Sequence, residues 1–120
     1  MATILVIDDN LDMRFLLNNL LTENGFFVET AEDGVIALEM MGLNKPDLVL
    51  LDLRLPKLSG LEVLQIIKEQ DIHAKVILLT AYSNLGNRTN AITLGADDYL
   101  TKPFDNNELV TRINHVLNVE

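Results

Sequence analysis

A chain of 120 residues, 48% of them hydrophobic, is long enough for one compact domain with its own core, yet no apolar run approaches the ~18 residues a membrane-spanning helix needs. Nine Lys and Arg against 18 Asp and Glu give a formal charge of −9, which repels polyanions and argues against direct nucleic-acid binding. The absence of cysteine excludes disulfides, thiolate metal sites and cysteine nucleophiles, and with no leader-like segment after Met1 the expected location is the cytoplasm, away from any membrane.

Taken in chain order, the sequence alternates strand-like and helix-like segments. Thr3 to Ile7 reads as a strand and is followed at once by Asp8 and Asp9. Asn10 is placed to cap a helix whose buried stripe is Met13, Leu16, Leu17, Leu20 and Leu21, with Gly25 as its stop. A second strand, Phe26 to Thr30, alternates in polarity and suits a sheet edge; a second helix starts near Asp33 and runs through Ala37, Leu38 and Met41 to Gly42. The third strand, Leu48 to Leu51, is wholly apolar and ends on Asp52. Ser59 and Glu62 form a capping-box pattern ahead of Val63, Leu64 and Ile67. The fourth strand, Val76 to Leu79, leads into Thr80. A fourth helix over about Asn84 to Leu94 should be marginal, because Asn84, Gly86, Asn87, Thr89 and Asn90 are poor helix formers. A short fifth strand, Tyr99 to Leu100, precedes Lys102, and Asp105 with Glu108 opens a last helix carrying Leu109, Ile113, Val116 and Leu117.

Strands that are apolar along their whole length are covered on both faces, and strict alternation with helices implies right-handed crossovers. The expected fold is a doubly wound α/β domain: a five-stranded parallel sheet in the flavodoxin-like order 2-1-3-4-5, with five helices. Sites in such sheets gather at the carboxyl ends of the strands. There this sequence places Asp8, Asp9, Asp52, Thr80 and Lys102. Carboxylates brought to about 4 Å repel by ~4 kcal/mol per pair at an effective dielectric near 20. A hard divalent cation relieves this, and Mg²⁺ suits a site with few carboxylates and retained waters. A cation, an ammonium and a hydroxyl around one free carboxylate form a set that can stabilise a transferring phosphoryl group, with Asp52 as its acceptor, Lys102 offsetting charge and Thr80 donating a hydrogen bond.

The stretches Ile4-Leu5-Val6-Ile7-Asp8-Asp9, Leu50-Leu51-Asp52-Leu53-Arg54-Leu55-Pro56, Leu79-Thr80-Ala81 and Lys102-Pro103-Phe104 resemble the four signature blocks of response-regulator receiver domains. The resemblance runs from Thr3 to Val119 and includes Gly60 and Gly95-Ala96. It implies one receiver domain over residues 1–120 with no output domain in the chain, belonging to a two-component system. Its activity would be that of a phosphoacceptor that assists only its own phosphorylation and dephosphorylation, not of an enzyme acting on other substrates. Asp52 would be the phosphoacceptor. The metal, Mg²⁺ or Mn²⁺, would be held by Asp9, Asp52 and the backbone carbonyl of Arg54, with Asp8 acting through water. Thr80 and Tyr99 would form the switch pair, and the Lys102–Pro103 bond would be cis. The implied partners are a sensor histidine kinase or histidine phosphotransfer protein, docking around Leu11, Arg14 and Phe15, and a downstream protein target or an output domain missing from this chain. The switched face would comprise the fourth helix, the fifth strand and the last helix.

The sequence departs from that pattern at Asn10, where a third acid is frequent; losing it should weaken cation affinity modestly. Arg54 and Tyr82 lie beside the phosphoryl position, and a bulky Arg54 should slow self-dephosphorylation. Read singly, each site residue has a plainer explanation: an Asp-Asp pair as a capping or loop element, Thr80 as a strand-end hydroxyl bonding backbone, Lys102 as a solvated side chain, Tyr99 as ordinary packing. Four strand ends that all supply the required group argue for the joint reading. A flavodoxin-type FMN carrier would need a hydroxyl- and glycine-rich loop where this chain has Asp8 and Asp9. A haloacid-dehalogenase-like phosphatase would carry its nucleophile after the first strand, and a degenerate receiver would have lost part of the set. His73 and His115 stand apart from any partner in sequence and read as surface residues.

Overall fold

The computed structural model describes residues 1–81, 92–93 and 95–118. Five parallel strands, β1 (Thr3–Ile7), β2 (Phe27–Ala31), β3 (Leu48–Leu51), β4 (Lys75–Thr80) and β5 (Asp98–Thr101), form one sheet in the order β2-β1-β3-β4-β5. Among the described residues there are four helices, α1 (Leu11–Glu23), α2 (Gly34–Asn44), α3 (Gly60–Glu69) and α4 (Asn106–Leu117). The sequence leads one to expect five; the remaining segment, Asn84 to Leu94, lies outside the described residues except for Ile92 and Thr93.

The apolar strands resolve into two faces, because successive side chains of a strand point to opposite sides. Leu5, Ile7, Val49, Leu51, Val76 and Leu78 pack with Ala37 and Met41 of α2 and with Val63, Leu64 and Ile67 of α3. Ile4, Val6, Leu48, Leu50, Ile77 and Leu79 pack on the other side with Leu17 and Leu21 of α1 and with Leu109 and Ile113 of α4. All these side chains are buried, so the continuous apolar reading of the strands reflects two cores and not one. β2, at the edge, is half-buried along most of its length, as its alternating sequence leads one to expect.

The helix starts are set by side chains. Asn10 accepts the Met13 amide at 2.8 Å, Asp33 the Ile36 amide at 2.9 Å, and Asp105 the Asn107 and Glu108 amides at 2.8 and 3.1 Å. Ser59 and Glu62 make the full reciprocal capping box. Each satisfies amides that a first helical turn leaves without a partner, typically worth about 1 kcal/mol at an exposed cap. The ends are less orthodox. Lys45 and Asn118, neither of them glycine, take left-handed conformations as C-caps, with φ of 47° and 58°.

Candidate functional site

The parallel register brings the site residues together. Ile7 pairs with Leu51, so the residues that follow them, Asp8 and Asp52, leave adjacent strands side by side. Thr80 pairs with Thr101, which places Lys102 one residue beyond the same rim. Past the strand ends the ladder continues: the Asp52 amide donates to the Ile7 carbonyl at 3.0 Å and the Lys102 amide to the Thr80 carbonyl at 2.8 Å. Gly60 lets the chain after β3 fold back beneath this rim. A methyl group there would meet the Asp52 carbonyl oxygen and lie 2.6 Å from Leu53 Cα, so no larger residue fits without moving the Asp52 peptide.

At the centre, Lys102 Nζ lies 2.5 Å from Asp8 Oδ2 and 3.0 Å from Asp52 Oδ2. Asp52 Oδ1 accepts the Thr80 hydroxyl at 2.9 Å and the Arg54 amide at 3.0 Å. Asp8 Oδ1 accepts the Asn10 amide at 2.9 Å. Asp8, Asp52 and Thr80 are buried, while Asp9 is exposed at the mouth. No buried side-chain nitrogen or oxygen among the described residues lacks a hydrogen-bond partner, so the polar cluster is satisfied although it sits at the edge of two apolar cores.

Burial raises the Asp8 carboxyl above its ordinary value, against the pull of the Lys102 ammonium and the Asn10 amide. Burial works the other way on Lys102, yet its bonds to Asp8 and Asp52 prevail and hold its pKa above the usual 10.5. The lysine thus stays charged across the neutral range. One ammonium between two carboxylates leaves negative charge in excess, and carboxylate oxygens of Asp8, Asp9 and Asp52 all lie within 4.8 Å of one another. Three hard oxygen donors at that spacing, one of them open to solvent, fit a small divalent cation that keeps part of its water shell.

Of the residues singled out in the sequence, the structure thus gathers Asp8, Asp9, Asp52, Thr80 and Lys102 at one rim, with the Arg54 backbone at its side. Tyr99 lies elsewhere: it is buried in the α2 and α3 side core that also holds Val76, Leu78 and Ala96. The Lys102–Pro103 bond is cis. Tyr82 falls outside the described residues. Arg14 had no place in the site as read from sequence. Its Nη1 donates to the Asp8 backbone carbonyl at 2.7 Å, a contact its position on the first turn of α1 permits but does not announce.

Comparison with known proteins places this architecture. The response regulator receiver domain family matches residues 4–114, and the chain belongs to that family. It is 41% identical over 114 residues, 95% of this chain, to the response regulator MprA of Mycobacterium sp. (strain KMS), of which the match covers 50%. The chain spans about half the length of the curated relatives it matches. The receiver domain of the Francisella response regulator 1452 superposes with a TM-score of 0.93 at 34% identity, covering 98% of each chain. The BeF3-activated DrrB receiver domain does so with a TM-score of 0.89, also at 34% identity and 98% coverage of each.

The chain is accordingly a receiver domain of the two-component response-regulator type, a class of signalling domain. Among the described residues, no helix is long and apolar enough to cross a membrane.

Proposed function

We propose that Asp52 is the phosphoacceptor and that its phosphorylation, drawn from a phosphohistidine on a kinase or phosphotransfer protein, requires Mg²⁺ or Mn²⁺. The observation that carries this reading is the sharing of Lys102 between Asp8 and Asp52 while Thr80 donates to the other Asp52 oxygen. A carboxylate surrounded by an ammonium, a hydroxyl and a backbone amide is poised both to attack phosphorus and to have its product stabilised. A related receiver is described as activated by BeF3, an anion with the shape of a phosphoryl group, which supports the same chemistry here.

In this mechanism an Asp52 oxygen forms the new bond to phosphorus in line with the departing donor. The donor's bond to phosphorus breaks, and the donor leaves with its electron pair. Lys102 holds its ammonium against the oxygens of the transferring group, and the Thr80 hydroxyl turns from Asp52 to a phosphoryl oxygen. Asp9, Asp52 and the Arg54 carbonyl would hold the cation, with Asp8 acting through water. When bound, that cation neutralises charge on the phosphoryl oxygens. The side chain of Arg54 shields the acyl phosphate from water and prolongs its life.

The added charge of roughly −1.5 to −2 and its acceptor oxygens then draw Thr80 and the chain beyond it toward Asp52. Tyr99, on β5 and paired with Leu78 of β4, transmits the shift to the surface of β5 and α4, which changes its affinity for a protein target or an output domain. Exposed Leu11 and Phe15, 68% and 66% accessible at the site end of α1, offer the apolar surface on which the phosphodonor would dock.

Intact mass after treatment with acetyl phosphate and Mg²⁺ tests the reading. Wild type should gain one phosphoryl group and Asp52→Asn none; equal labelling of both would overturn it.

A further inference from the structure

We infer that Arg14 is a positioning residue for the cation, acting through the backbone of Asp8 and not by touching the ion. The inference rests on the reading of the Asp8, Asp9 and Asp52 cluster as a cation site. Asp9, the exposed member, sits alone between two residues whose places are fixed. On its C-terminal side, Asn10 is pinned twice, by its amide on Asp8 Oδ1 and by its side chain on the Met13 amide. On its N-terminal side, the Asp8 amide is tied to the Ala31 carbonyl at 3.1 Å, and the Asp8 carbonyl is held by Arg14 Nη1 at 2.7 Å. That carbonyl belongs to the peptide joining Asp8 to Asp9. Its orientation sets the direction in which the Asp9 side chain leaves the turn.

This peptide group lies past the last β1 residue and ahead of the first residue of α1, and among the described residues no backbone–backbone hydrogen bond fixes it. Arg14 does so from one turn into α1, and its own amide donates to the Asn10 carbonyl at 3.0 Å. The half-buried guanidinium makes a charge-assisted bond, roughly twice the strength of a neutral one. Arg14 thereby carries a positive charge close to a site meant for a cation, an arrangement that opposes cation binding by electrostatics alone. Its presence there makes sense if holding the turn outweighs the repulsion.

The two effects have opposite signs, and this makes the inference testable. Loss of charge alone would tighten cation binding; loss of the hold would weaken it. Mg²⁺ binding, followed by calorimetric titration of the unphosphorylated protein, should be about tenfold weaker in Arg14→Met, the low end of the effect of removing outer-shell partners. Arg14→Lys, which keeps a donor of nearly the same reach, should stay within about threefold of wild type. Thermal midpoints without cation should differ little among the three. Should the Met variant fail to fold, Arg14→Gln, whose amide stops short of the Asp8 carbonyl, is expected to weaken binding in the same way. Equal or tighter binding by the Met or Gln variant, or a Lys variant as weak as Met, overturns the role of Arg14 alone. A wild type that binds no Mg²⁺ overturns both this role and the reading of the site beneath it.

Discussion

The two rims of the sheet carry similar residues and use them in opposite ways. At the carboxyl ends of the strands, Asp8 and Asp52 are buried, face each other and share one lysine. At the amino ends, Asp47 and Asp97 are exposed, and each is spent on a neighbouring strand: Asp47 Oδ2 accepts the Thr3 amide and Asp97 Oδ2 the Val76 amide, both at 2.8 Å. The lower acids finish the hydrogen bonding of the sheet, whereas the upper ones are left facing a common space. Lys68, His73 and Lys75 join Asp47, Asp71 and Asp97 around a cavity of about 440 Å³ at the lower rim. Acids at a strand end are therefore no mark of a site by themselves. Convergence on one another, with a cation between them, is what separates the two ends.

Removing that cation should have the largest effect. Lys102→Met strands two buried carboxylates, and breaking a buried pair costs about 3 kcal/mol, measurable by urea unfolding at neutral pH. Saturating Mg²⁺ should narrow the gap. The pH dependence has a definite sign: the Lys102 pKa is raised in the folded state, so its contribution is intact below about 10.5 and is lost as pH rises through the higher folded value. A wild type and a Met variant of equal stability at pH 7 would break the contrast between the rims.

Gly60→Ala comes next. The added methyl group has no room against Asp52 and Leu53, and forced overpacking of this kind costs about 2 kcal/mol. Because the obstruction is the Asp52 peptide itself, phosphoryl uptake should fall together with the unfolding midpoint. Uptake at the wild-type rate would show that the turn relaxes without disturbing the acceptor. The smallest effect belongs to the lower rim: Asp97→Ala should lose about 1 kcal/mol through the Val76 amide and leave phosphoryl uptake unchanged. A slower uptake in that variant would mean that the rims are coupled.

The architecture was largely legible because its signals are local. β1 and β3 fall where their apolar runs fall, and Asn10, Asp33, Ser59 and Asp105 cap the helices they precede in the sequence. β2 shifts by one residue, and β4 and β5 extend by one at each end, since strand limits depend on pairing and not on composition. The convergence of Asp8, Asp52, Thr80 and Lys102 was legible too, because a parallel sheet brings consecutive strand ends to one rim. Contacts that depend on a particular side-chain path were not. Nothing in the spacing of Arg14 shows that its guanidinium turns back to the Asp8 carbonyl, and the left-handed turns at Lys45 and Lys57 use residues that carry no sequence signal for that conformation, unlike Asp71 and Asn118.

Gly34 has a practical bearing on how the domain can be altered. A side chain there would lie 2.7 Å from Val63 Cγ2 and 2.9 Å from Leu58 Cβ, so the start of α2 rests directly on the loop after β3, and the Lys57 ammonium, 3.4 Å from Asp33 Oδ2, closes over the same contact. A reporter peptide spliced between Pro56 and Ser59 would have to prise that seam open, next to the acceptor strand. At the exposed end of α2 an added side chain at Gly42 would meet nothing within 4 Å, and grafting after the cap residue Lys45 would leave the seam closed.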